Sequence, residues 1–185
     1  MEKYVLRKQL ILLRKNIIEK EIKSEIIFEK VINTEEYNNS KVIAFYKNLE
    51  SEVDTTKMIE YSIKHKKTVV LPRTEKNELK FFKIDSLKKD LFEKSDFGIE
   101  EPIENNKKYI EYTDIDLIIV PGVGFDIYKN RLGFGKGYYD RLLKGRKIKN
   151  IAICFDDQVL KEETIPTNKY DVKVDKIITE KNIYI

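Results

Sequence analysis

Asp116-Leu-Ile-Ile-Val-Pro-Gly122 is an unbroken apolar run of four residues closed by a proline and a glycine. A strand that is apolar on both faces belongs at the centre of a parallel sheet covered on each side, and Pro121 cannot continue the ladder. Outward from it, Lys41–Tyr46, Thr68–Leu71, Asn150–Phe155 and Val174–Thr179 read as further strands. Pro72 is expected to end the second of these, and Leu79–Ile84 to form an additional, more exposed one. Leu6, Leu10, Leu13 and Ile17, then Ile22, Ile26, Ile27 and Val31, recur at helical spacing. They predict one long helix or two over residues 2–32, with Asn16 and Ser24 as break points. Thr55–Lys66 is helical through Met58, Ile59 and Ile63, with Asp54 or Thr55 as N-cap. Gly137–Lys144 should be a short helix, and Asp85–Tyr112 a helical turn followed by a surface-crossing loop. Strands alternating with helices give an α/β fold: a three-layer sandwich with a largely parallel central sheet and helices on both faces.

With 185 residues and 41% apolar content, the chain is expected to form one domain with a substantial core. Its 36 basic and 32 acidic residues leave a net charge of +4. That excess suits an anionic ligand without requiring nucleic acid. The single cysteine, Cys154, lies in the apolar run Ile151–Phe155 and reads as a buried strand thiol. Without an intrachain disulfide, secretory signal or bilayer-length apolar run, a cytoplasmic protein without a membrane partner is expected. No Ser-His-Asp or Cys-His set is visible, and the one histidine, His65, sits among lysines before a strand, where exposure is expected.

In such a fold ligands lie beyond the carboxyl ends of the strands, which points to the loops after Tyr46 and Val120. Five of the seven glycines, Gly122, Gly124, Gly133, Gly135 and Gly137, fall within sixteen residues. That concentration suggests a backbone that turns tightly or approaches a ligand closely. Gly133-x-Gly135-x-Gly137 offers an anion nest at a helix start, flanked by the charges of Arg131 and Lys136. Asp140, one turn on, is a reasonable Mg²⁺ carboxylate. The stretch is neither a P-loop nor a dinucleotide fingerprint. On spacing alone, a glycine-rich turn that binds nothing stays open.

Val120-Pro-Gly-Val-Gly-Phe-Asp126 followed by Asn130-Arg-Leu-Gly-Phe-Gly-Lys-Gly-Tyr-Tyr-Asp140 resembles the signature of the 5-formyltetrahydrofolate cyclo-ligase family, also called 5,10-methenyltetrahydrofolate synthetases. Lys3-x-x-Leu6-Arg7, Tyr46 to Thr55, Phe97-Gly-Ile-x-Glu101-Pro102 and Asp171-x-x-Val-Asp175 to Glu180 resemble other family blocks in the same order. The resemblance implies an ATP- and Mg²⁺-dependent closure of 5-formyltetrahydrofolate to 5,10-methenyltetrahydrofolate through a phosphorylated formyl group. It implies nucleotide contacts from Lys3, Arg7 and the stretch Arg131, Leu132, Gly133, Phe134, Gly135, Lys136, Gly137, Tyr138 and Tyr139. Arg131 and Lys136 would stabilise the transferring phosphoryl group. Lys47, Glu52 and Tyr139 would contact the folate, and Asp140 and Asp171 would hold Mg²⁺.

Three positions depart from the family pattern: Lys129 where Gly is common, Gly124 where Ala is frequent, and Tyr170 where His is common. Lys129 and Gly124 put the turn geometry in question. The partners expected are small molecules, with no nucleic acid and the chain a monomer or weak dimer. Two other readings stand beside this one. A different small ATP-dependent phosphotransferase would bind ATP without needing 5-formyltetrahydrofolate, and a nucleic-acid-binding module would need basic residues gathered on one face with stacking aromatics. The lysines here are instead spread among glutamates.

Overall fold

The computed structural model describes residues 2–95, 98–105 and 108–185. Two helices, α1 (Lys3–Lys15) and α2 (Lys20–Ile32), occupy the N-terminal stretch. Between them Glu19 takes a left-handed φ of 56°, which a continuous helix cannot carry. The division therefore falls just after Asn16, while Ser24 lies buried inside α2. A short α3 (Glu35–Asn39) starts at Thr34, whose hydroxyl accepts from the Tyr37 amide at 3.2 Å.

Next come β1 (Val42–Ala44), α4 (Thr56–Lys64), β2 (Thr68–Glu75) and β3 (Glu78–Ile84). Asp54 supplies the cap of α4, its carboxylate accepting from the Thr56 amide at 2.8 Å. Thr55 is instead fully buried and donates to the Tyr46 carbonyl at 2.7 Å, fixing the exit of β1.

The middle of the chain adds β4 (Phe92–Lys94), β5 (Glu100–Pro102), β6 (Tyr109–Ile110), β7 (Leu117–Val120), β8 (Gly124–Asp126) and β9 (Arg131–Leu132). After α5 (Tyr138–Leu143), the chain finishes with β10 (Lys149–Ile153), β11 (Val159–Leu160), β12 (Lys176–Ile178) and β13 (Ile183–Tyr184).

The main sheet runs β13-β12-β10-β7-β1-β2-β3-β6. Its central strands β12, β10, β7, β1 and β2 are mutually parallel, and the remaining pairs at its two ends are antiparallel. β7 is buried along its whole length at the middle, as its sequence predicts. Leu117 and Ile119 join a core with Ile27, Phe28 and Val31 of α2 and Met58 and Ile59 of α4. Ile118 and Val120 face the opposite way, toward Leu142 and Leu143 of α5 and Phe125 of β8. Truncating a residue such as Ile119, fully buried here, to alanine would cost about 2–5 kcal/mol. A second, three-stranded sheet, β11-β8-β9, sits beside α1, where Leu6 and Leu10 pack on Val123, Leu132 and Ile165.

Three local expectations are corrected. Pro72 does not end β2, which continues to Glu75 paired with β3. β1 pairs with β2 only as far as Ala44 and Val70, so β2 is an edge on that side beyond Val70, where a missing N–H costs no ladder bond. β3 is less exposed than its sequence suggests, since Phe81, Phe82 and Ile84 are all buried. The stretch 85–112 carries a 3₁₀ turn (Lys89–Leu91) and then the β4–β5 ribbon and β6 rather than a loop alone. Phe97 of the family-like block in this stretch lies outside the described residues.

From β1 the sheet extends one way to β2, and from β7 the other way to β10. The gap between the carboxyl ends of β1 and β7 is therefore the topological switch point, where a ligand crevice is expected. Among the described residues, no helix is long and apolar enough to cross a membrane.

Candidate functional site

A cavity of about 800 Å³ opens at this switch point. All the residues singled out from the sequence, from Lys3 and Arg7 through Lys47 and Glu52 to Arg131–Asp140 and Asp171, lie on its wall. They come from four separate parts of the chain: α1, the loop after β1, the β9–α5 connection and the segment before β12.

The glycines divide by task. At Gly122 a β-carbon would stand 2.4 Å from the Phe125 ring, and at Gly124 2.3 Å from the Leu10 side chain. Those two permit close packing of β8 and α1 and have no need of a ligand to explain them. Gly135 and Gly137 have φ of +99° and +69°, with Lys136 between them on the ordinary side. Left-handed residues alternating with right-handed ones build an anion-binding concavity. The six-residue α5 that follows is too short to add much of a helix dipole.

Guanidinium groups crowd this loop. Arg7 Nε donates to the Gly133 carbonyl at 2.8 Å, joining α1 to the loop. Arg131 lies almost buried, donates to Asp140 Oδ2 at 2.9 Å and reaches the Pro121 carbonyl at 3.4 Å. Its guanidinium stands 5.4 Å from the Tyr139 ring centroid. Burial pushes the Tyr139 hydroxyl well above the usual phenol range, so it enters the cavity as a neutral group.

The two carboxylates assigned to Mg²⁺ each already face a cation. Asp140 accepts from Arg131 on Oδ2 and from the Val172 amide on Oδ1 at 3.2 Å. Asp171 accepts from Lys3 and, at 2.6 Å, from the Asn168 amide, both on Oδ2. Among the described residues, no three His, Cys, Asp or Glu side chains group into a metal cage. The donor set suits an ion brought in on a triphosphate, since Mg²⁺ keeps waters and takes only one or two carboxylates. Asp171, with Oδ1 left over, is the better placed of the two.

On the opposite wall Glu52 is buried. Leu49 donates its amide to Glu52 Oε2 at 2.9 Å, and Arg14 donates to Oε1 at 3.0 Å. Burial holds the Glu52 carboxyl above its ordinary range, and the Arg14 charge offsets only part of that rise. Lys47 is paired with Glu100 and stands 4.2 Å from the Phe92 ring centroid, so the β4–β5 ribbon closes that side. Lys3, Arg7, Lys47, Arg131, Lys136, Arg141 and Lys144 together outnumber the carboxylates on the cavity wall, favouring an anionic occupant.

Arg14 is the residue that reading the sequence missed. It lies seven positions beyond Arg7, two helical turns along the same face of α1, and that spacing was the available signal. Lys129 resolves the turn question: it holds a left-handed φ of 68°, the conformation a glycine would supply. Tyr170 is exposed at the cavity rim, and His65 is exposed, stacked on Tyr61 at 3.9 Å, and does not line this cavity.

Comparison with known proteins gives one result throughout. A model of the 5-formyltetrahydrofolate cyclo-ligase family matches residues 1–180. The 5-formyltetrahydrofolate cyclo-ligase of Mus musculus is 33% identical over 168 residues, covering 85% of this chain and 82% of that protein. The Haemophilus influenzae cyclo-ligase is 30% identical over 156 residues, with 82% of each chain covered. Among solved structures, the Aquifex aeolicus 5,10-methenyltetrahydrofolate synthetase superposes with a TM-score of 0.83 at 37% identity, covering 99% of this chain and 92% of that one. The Mycoplasma pneumoniae 5,10-methenyltetrahydrofolate synthetase gives 0.76 at 27% identity, covering 97% and 99%.

Proposed function

This chain belongs to the 5-formyltetrahydrofolate cyclo-ligase family, and from that premise we propose that it converts 5-formyltetrahydrofolate to 5,10-methenyltetrahydrofolate using ATP in the cavity at the switch point. The observation that carries the reading is the meeting of two unlike walls on one cavity. One is a cation-flanked glycine loop suited to phosphates, and the other a buried carboxylate suited to the N–H groups of a reduced pterin.

The formyl oxygen attacks the γ-phosphorus of ATP, and ADP leaves with the electrons of the broken phosphoanhydride bond. The N10 amine then adds to the activated formyl carbon, loses its proton, and the C–O bond breaks as inorganic phosphate departs. No covalent bond to the protein forms, so the side chains act by alignment and charge. Arg131, pinned by Asp140, and Lys136 meet the charge on the transferring phosphoryl group. Lys3 and Arg7 hold the nucleotide from α1, with the backbone of Leu132–Tyr138 around the triphosphate. Glu52 accepts from the pterin, with Lys47 and Tyr139 completing the folate wall. Mg²⁺ would be held by Asp171 and Asp140 with the ATP phosphates and would neutralise their charge.

The order of bond changes has a direct isotopic consequence. With ¹⁸O in the 5-formyl group, the label must appear in the released inorganic phosphate. Label remaining in folate or appearing in water would overturn the phosphorylated intermediate.

A further inference from the structure

Arg14 is buried to 2% exposure, the most enclosed cation among the described residues, yet it does not line the cavity. Its Nη1 donates both to Glu52 Oε1 at 3.0 Å and to the Gly122 carbonyl at 3.2 Å. Its guanidinium stands 5.4 Å from the ring of Phe134 in the glycine loop. One side chain on α1 thus touches the loop after β1, the exit of β7 and the phosphate loop.

A carboxylate offers about four lone pairs, so one bond from Arg14 and one from Leu49 leave Glu52 able to accept two more. A protonated Glu52 would turn one oxygen into a donor and lose that pattern. Burial favours the protonated form, and the facing Arg14 charge opposes it. The other titratable groups that face Glu52 are the phenols of Tyr46 and Tyr139, both pushed upward by burial and hence neutral.

We propose that Arg14 is a positioning residue for the folate: it holds Glu52 as an oriented, ionised acceptor and ties that acceptor to the glycine loop that carries the phosphates. The proposal rests on the reading of Glu52 as the pterin acceptor. Removing Arg14 raises the Glu52 carboxyl further, so the loss of folate binding on acidification moves to higher pH.

The test is the affinity for 5-formyltetrahydrofolate from pH 5 to 9 in the wild type, Arg14→Lys, Arg14→Met, Glu52→Gln and Glu52→Gln/Arg14→Lys. Arg14→Lys keeps a charge, but its ammonium on a flexible stem does not reproduce the fixed planar placement of Nη1 between Glu52 and Gly122, and should weaken binding at pH 7 by about ten- to a hundredfold. Arg14→Met should move the midpoint to higher pH by more than Arg14→Lys; if it does not fold, the lysine variant still carries the shift. In the Glu52→Gln background, Arg14→Lys should cause no further loss. Wild-type affinity and midpoint in the Arg14 variants, or a full additional loss in the double variant, would overturn the proposal. Unchanged affinity in Glu52→Gln alone would remove the acceptor reading on which it stands.

Discussion

Arg131 Nη2 meets Asp140 Oδ2 at 2.9 Å, with the two side chains 5% and 18% exposed. The other Asp140 oxygen accepts from Val172 at 3.2 Å, so this carboxylate holds a cation in place and anchors the segment that carries Asp171. Asp140 and Asp171 therefore have different loads, although both are candidates for Mg²⁺. Asp140→Ala should release Arg131 and lower kcat by about a hundredfold. Asp171→Asn should instead raise the Mg²⁺ concentration giving half-maximal rate. Mg²⁺ titrations at saturating ATP distinguish the two. A shifted metal midpoint with intact kcat in Asp140→Ala would contradict the pinning role.

Lys136 lies between two left-handed glycines on the cavity wall. If it meets charge that develops on the phosphoryl group, Lys136→Ala should lower kcat by about 10²- to 10³-fold. Folate affinity measured without ATP should hardly change. Weakened folate binding with unchanged turnover would remove the phosphoryl role.

Lys129 holds a left-handed φ of 68° at the turn between β8 and β9. A side chain costs about 1–2 kcal/mol in that conformation, while glycine loses about 0.5–1 kcal/mol in chain entropy. The Lys129 amine also donates to the Asp175 carbonyl at 3.2 Å on the surface. Lys129→Gly should leave stability unchanged or raise it by up to about 1 kcal/mol in urea unfolding. A clear loss would show that the lysine contact outweighs the backbone strain.

The reach of the sequence follows from these particulars. β7 was readable because burial on both faces demands an uninterrupted apolar run, and its position fixed the parallel sheet and the crevice. The second sheet was not readable: β9 and β11 are two residues long, too short for any alternation to register. The glycine cluster was legible as a loop but not in its parts, because the packing tasks of Gly122 and Gly124 appear only against Phe125 and Leu10. Arg14 looked like any cation on an amphipathic helix, since its partner Glu52 is 38 residues away. The folate reading came from likeness to a family, because no spacing in the chain encodes a pterin.

Cys154 follows the last residue of β10, so it is not the strand residue its sequence suggests, yet it is buried at 1% exposure, and burial pushes its thiol well above the usual range. Above its ordinary range the thiol stays protonated near neutrality, and only the thiolate reacts. Native protein at pH 8 should therefore resist a disulfide-exchange reagent and react with one equivalent once unfolded. Rapid labelling of the native chain would contradict the burial of Cys154.

The most direct test combines the purified chain, Mg-ATP and 5-formyltetrahydrofolate, and follows methenyl-folate absorbance in the near ultraviolet alongside ADP. Absorbance should grow only with both substrates present, with one ADP formed for each methenyl group. A folded chain that hydrolyses or transfers phosphate from ATP without 5-formyltetrahydrofolate, and produces no absorbance with it, would contradict the account and favour a different phosphotransferase.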